Sequence, residues 1–169
     1  MIMTISEFDK LEIEVKKNLL FNCCGSNAWV KDMLEIMPVN DLVDLLEYAE
    51  EKWYDCNPAD WLEAFEHHPK IGDFHSMIHT FSNITEWTTG EQAGVQNSTP
   101  EMMDQLQKAN EEYEETFGYI FIVFASGKSA QEMLDILHQR INNSPQEELT
   151  IAAAEQNRIT QLRLQKLFV

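Results

Sequence analysis

Apolar residues recur along this chain at helical spacing, and polar stretches with helix-start signals separate them. Leu42, Leu45, Leu46, Ala49 and Trp53 share one helical face, and Leu106, Ala109, Tyr113 and Phe117 share another. Gly118 follows the second stripe and suits a C-terminal cap, because glycine enters left-handed backbone without a steric penalty. Ser6 with Asp9 is read as opening a first short helix. Asn57-Pro58 and Thr99-Pro100 each place a capping residue before a proline suited to the first turn. Ser129 with Glu132, and Ser144 with Glu147, have the spacing of a capping box. One stretch departs from this period. Tyr119 to Ala125 is aromatic and β-branched, but no second strand offers itself as a partner. It is expected as a short buried extended connector. The polar stretch from Phe74 to Gly94 is expected as a short helix and then a loop. The pattern predicts an all-α protein, a single compact domain over 1–169 of about seven or eight helices.

Composition narrows the picture. The chain has 169 residues and 44% apolar content, enough for one hydrophobic core. Aromatic and aliphatic residues run through its whole length, which argues against disorder. Twelve basic residues stand against 29 acidic ones, a formal charge of −17. Such a surface repels nucleic acid and anionic lipid, so neither is an expected partner. The excess is uneven. Residues 1–125 hold 7 basic and 24 acidic side chains, whereas residues 126–169 hold 5 of each. A site for an anion should therefore draw on the neutral stretch, where Arg140, Arg158 and Arg163 lie. The longest fully apolar run, Tyr119–Ala125, is far too short to span a bilayer. Three cysteines without zinc spacing, Cys23, Cys24 and Cys56, read as free thiols in a reducing compartment. With no leader-like segment and no Ser-Lys-Leu terminus, the expectation is a cytoplasmic protein.

Four clusters carry candidate chemistry. In His67-His68-Pro69-Lys70-Ile71-Gly72-Asp73, the proline pushes His68 out of helical backbone. Its imidazole then sits at a helix–loop junction, suited to proton transfer near neutral pH; a surface or capping histidine is the alternative. His75 and His79 share a helical face and could join His68 around a metal, but no helping carboxylate follows at a telling spacing. In Trp87-Thr88-Thr89-Gly90-Glu91-Gln92-Ala93-Gly94, a carboxylate and an amide lie side by side between glycines, fit for a small ligand or for a polar turn. Ser126-Gly127-Lys128-Ser129 has the ending of a phosphate-binding loop, but Ile122 stands where that loop needs its first glycine. The fourth cluster is in the last helix. Arg163, Gln156 and Thr160 fall on the same face as Leu149, Ala152, Ala153, Ile159, Leu164 and Leu167, with Arg158 opposite. A guanidinium on a core face needs a partner. That partner is either a carboxylate of the protein or a ligand's carboxylate or carbonyls, held in a fork.

Taken in order, His68-Pro69-Lys70-Ile71-Gly72-Asp73, Glu91-Gln92-Ala93-Gly94, Phe117-Gly118-Tyr119 running into Ala125-Ser126-Gly127-Lys128, Arg140 and Arg163-Leu164 resemble a known family. It is the 2-oxo-4-hydroxy-4-carboxy-5-ureidoimidazoline (OHCU) decarboxylases, and the resemblance runs from about Phe21 onward. It implies an all-α, cofactor-free, typically homodimeric carboxy-lyase that yields (S)-allantoin in urate degradation. The family's catalytic histidine falls on His68. Its substrate contacts fall on Pro69, on the loop of Thr88, Thr89, Gly90, Glu91 and Gln92, on backbone groups of Phe121, Ile122, Val123, Phe124 and Ala125, and on Arg163. Thr88 stands where many members have serine, and Lys70 where they have arginine. His68, Glu91 and Arg163 are the expected catalytic set, with His68 as principal acid/base and Glu91 as its polar partner. Two other classes remain: a metal-dependent hydrolase using His68, His75 and His79, and a non-catalytic helical interaction protein with Arg163 salt-bridged in its core.

Overall fold

The computed structural model describes residues 2–68 and 98–168. Within them the chain forms eight helices and no strand: α1 (Ile5–Asp9), α2 (Ile13–Cys24), α3 (Asn27–Ile36), α4 (Leu42–Asp55), α5 (Pro58–Glu66), α6 (Pro100–Phe117), α7 (Ala130–Arg140) and α8 (Pro145–Leu167). Among the described residues the protein is all-helical, as its periodicity predicts.

Local chemistry sets the helix ends. Asn57 Oδ1 accepts the backbone N–H groups of Ala59 and Asp60 at the start of α5. Thr99 accepts from Met102 ahead of Pro100, and Ser129 with Glu132 forms a full capping box on α7. Ser144 and Glu147 exchange the same pair of bonds before α8. The first cap differs from the sequence reading. Thr4, not Ser6, caps α1, and Glu7 rather than Asp9 reaches back to it. Both residues are capping types, but only Thr4 has a glutamate three positions on, which the reciprocal bond requires. At the other end of α6, Gly118 takes φ +81°, the left-handed cap that ends the helix.

The chain divides into two compact units, and the divisions fall inside α5 and inside α8. The first unit comprises Met1–Ala64 and Gln156–Val169. In it α2 packs on α3 and α3 on α4, burying Leu20, Trp29, Met33, Leu45, Ala49 and Trp53. Each large apolar side chain removed from water contributes about 1.5–3 kcal/mol. The indoles bury their N–H groups only with partners: Trp29 donates to the Ala49 carbonyl (2.9 Å) and Trp61 to the Trp53 carbonyl (3.0 Å). Phe8 meets Phe168 edge-on at 5.3 Å. Cys23, Cys24 and Cys56 are free and buried here.

The second unit is Phe65–Glu155. Its core joins α6 and α7 through Leu106, Ala109, Tyr113, Met133, Leu134 and Leu137. Phe121, Val123 and Ala125 of the 119–125 segment enter the same core. That segment is neither helix nor strand, and four of its residues, Phe121, Ile122, Val123 and Ala125, are buried. Among the described residues, no helix is long and apolar enough to cross a membrane.

Candidate active site

Helix α5 delivers the histidine. The helix ends at Glu66, His67 lies in a turn, and the His68 backbone N–H donates to the Phe65 carbonyl at 3.1 Å. A following proline forbids further helix, so the chain leaves here. His68 is half-buried, and its Nε2 is shielded from solvent. Three residues earlier the Phe65 ring packs on Tyr119, with centroids 5.3 Å apart. Tyr119 begins the buried connector, so the histidine turn and the connector belong to one packed neighbourhood of the second unit.

Charged side chains hold the connector's backbone. Arg140 is 7% exposed and donates from Nη1 to the Ile122 carbonyl at 2.8 Å. Its Nε and Nη2 both reach Glu148 Oε1, at 2.8 and 2.5 Å. The Arg140 guanidinium also stands 4.7 Å over the Phe121 ring. Glu148 is fully buried and takes further bonds from the Tyr113 hydroxyl and from Asn143 Nδ2 (2.8 Å). An ion pair this deep is tolerable only because these extra donors satisfy the carboxylate. The two peptide groups flanking the Phe124 Cα are both held. The Phe124 N–H donates to Glu155 Oε2 at 2.6 Å, and the Phe124 carbonyl accepts from Lys128 Nζ at 2.7 Å. Burial, aided by the bond to Glu148, pushes the Tyr113 hydroxyl well above its ordinary value. Burial and the Glu148 charge carry Tyr119 up to about 12. Both phenols stay protonated across the physiological range.

Arg163 belongs to the first unit. It is 4% exposed on the core face of α8, beside buried Gln156 and Thr160, while Arg158 is exposed. Its Nη1 lies 3.4 Å from the Cys23 carbonyl. Gln156 Nε2 donates to the Cys24 carbonyl (3.0 Å) and to Thr160 Oγ1 (3.3 Å). Burial pushes the neighbouring Cys24 thiol far up, so it is not a nucleophile at neutral pH.

Of the residues expected from sequence, the structure places His68 and the Phe121–Ala125 backbone in one unit and Arg163 in the other. Pro69, Thr88, Thr89, Gly90, Glu91 and Gln92 lie outside the described residues, as do His75 and His79. Among the described residues, no group of three or more His, Cys, Asp or Glu side chains could hold a metal ion. Sequence reasoning missed Glu148 and Glu155. Glu148 directly precedes Leu149 at the margin of the apolar sector of α8, and that position was the available signal.

A family model for OHCU decarboxylase matches residues 9–165. The chain belongs to the OHCU decarboxylase family. Within and around the family it is similar to the uric acid degradation bifunctional protein TTL of Arabidopsis thaliana, with 36% identity over 147 residues, 86% of this chain and 45% of that protein. It is also similar to the uric acid degradation bifunctional protein of Bacillus sp. (strain TB-90), with 25% identity over 99% of this chain and 32% of that protein. The chain thus spans less than half the length of these two relatives. A 2-oxo-4-hydroxy-4-carboxy-5-ureidoimidazoline decarboxylase of Halalkalicoccus jeotgali is matched over 93% of its length at 24% identity. Among solved structures, an OHCU decarboxylase crystallised in the presence of (S)-allantoin superposes with a TM-score of 0.73 at 35% identity, covering 86% of this chain and 94% of that one.

Proposed function

We propose that this protein is a cofactor-independent carboxy-lyase that converts OHCU to (S)-allantoin. The observation that carries this reading is the likeness to the solved OHCU decarboxylase, which extends over 94% of that chain at 35% identity. The buried Arg163 and the half-buried His68 at the close of α5 supply the chemistry such a reaction needs.

The carbon–carbon bond to the carboxylate breaks, CO2 leaves, and the electron pair passes into the conjugated imine and carbonyl system of the substrate ring. The substrate carries its own electron sink, so the protein has three tasks left. It holds the carboxylate so that the breaking bond lies perpendicular to the ring, stabilises the charge developing on the ring with preorganised donors, and delivers one proton to one face. In this reading Arg163 and Gln92 hold and polarise the ring and ureido groups, together with connector backbone groups. His68 is the acid/base, and Glu91 its polar partner. Pro69, Thr88, Thr89 and Gly90 line the substrate. The protein acts as a homodimer in the cytoplasm; three buried free thiols fit a reducing compartment.

The test is circular dichroism during enzymatic urate oxidation. Uricase and the hydrolase that opens 5-hydroxyisourate are supplied, and this protein is added last. Rapid growth of an optically active (S)-allantoin signal is expected. A slow drift to racemic product, unchanged by the protein, would overturn the proposal.

A further inference from the structure

Residues 122 and 124 are alternate members of the buried connector, and both are gripped by charged side chains. Arg140 donates to the Ile122 carbonyl, Glu155 accepts the Phe124 N–H, and Lys128 donates to the Phe124 carbonyl. Charge-assisted bonds of this kind are roughly twice as strong as neutral ones. Arg140 is itself fixed by its fork onto the buried Glu148. A loop that only filled core space would need its apolar side chains and little else. Here three formal charges from two helices and a turn orient three successive peptide groups.

We propose that Arg140 and Glu155 are positioning residues of the decarboxylase: they clamp the backbone of the connector at residues 122 and 124 and so fix how that backbone meets the substrate. This rests on the decarboxylase reading and adds to it two side chains that touch no substrate. Their effect reaches the substrate through backbone that binds it in ground and transition states alike. Loosening the clamp therefore raises KM more than it lowers kcat.

The experiment compares wild type, Glu155→Leu, Glu155→Gln and Arg140→Lys. Glutamine keeps an oxygen that accepts the Phe124 N–H, whereas leucine fills similar space without one. Lysine keeps the charge opposite Glu148, but a single ammonium lacks the fork that also reaches Ile122. All four are assayed by (S)-allantoin dichroism at varied substrate, with far-UV dichroism reporting the fold. The same samples go to amide hydrogen exchange, read on peptides spanning the connector and α6. Glu155→Leu and Arg140→Lys should raise KM roughly tenfold, and the connector should exchange several-fold faster while α6 is unchanged. Glu155→Gln should stay within about threefold of wild type on both readouts. Unchanged KM with a fall in kcat matching the loss of folded protein would reduce both residues to structural support and overturn the proposal. Unchanged connector exchange in Glu155→Leu would overturn it too. If wild type yields no (S)-allantoin, the decarboxylase reading fails, and so does the role in catalysis, while the exchange data still judge the clamp itself.

Discussion

At the level of single residues, backbone geometry at the close of α5 places His68. Its N–H closes on Phe65, and the next residue is a proline. Truncation should therefore leave the fold intact. His68→Ala is expected to lower turnover by about 10²-fold or more, the usual contribution of a positioned proton carrier. Steady-state dichroism with an unchanged melting temperature checks this. Arg163 gives a second prediction. Its guanidinium is buried on α8's core face, with Nη1 3.4 Å from the Cys23 carbonyl. Arg163→Lys keeps charge but loses the fork, so activity should fall roughly 10- to 100-fold while the fold is retained; full activity with reduced stability would mark it as a core pair only. Arg163 was legible because helical period alone puts it among leucines and alanines. Glu148 sits only at the margin of the apolar sector of α8, and its pairing was not legible, because Arg140 lies across the turn between α7 and α8 and periodicity says nothing about side chains meeting across a turn. Residues 88–92, which the proposal places at the substrate, lie outside the described residues, so their part in it rests on sequence alone.

At the level of elements, caps were the most readable feature. Proline and a hydroxyl or amide in adjacent positions leave the backbone few options, which is why the starts of α5, α6, α7 and α8 match the sequence reading. The misplaced cap of α1 shows the limit: two hydroxyl residues two positions apart compete, and the reciprocal glutamate decides. Thr99→Ala removes the bond to the Met102 N–H and should destabilise the protein by about 1 kcal/mol. Gly118→Ala should lose a similar amount, about 1 kcal/mol, through left-handed backbone strain, since a methyl there meets no atom within 4 Å. Urea unfolding midpoints at constant slope measure both. The connector shows how an apolar run without a partner strand can still be ordered. Arg140, Glu155 and Lys128 supply the bonds that a neighbouring strand would have given.

At the level of the whole molecule, charge sets the pH response. Bonds to Thr4, Ser129 and Ser144 hold the carboxyls of Glu7, Glu132 and Glu147 below the ordinary 4.5. Their contribution is complete above that value and is lost as pH falls through their lowered native values. Burial first, then nearby acidic side chains, raises the Cys56 thiol from 9.0 to about 12. A group raised in this way stabilises fully below pH 9 and loses its contribution as pH climbs from 9 to about 12. Urea midpoints should therefore plateau between these limits. Added salt should raise the plateau, because a net charge of −17 repels itself. The indole packing around α3 and α4 has an optical consequence. Three of the four tryptophans, Trp29, Trp53 and Trp61, lie in the first unit. Intrinsic emission therefore reports mainly on that unit, whereas far-UV dichroism counts helices in both. If the two melting curves coincide, the units form one cooperative body; if emission shifts first, the tryptophan-bearing helices give way while the clamped connector is still in place.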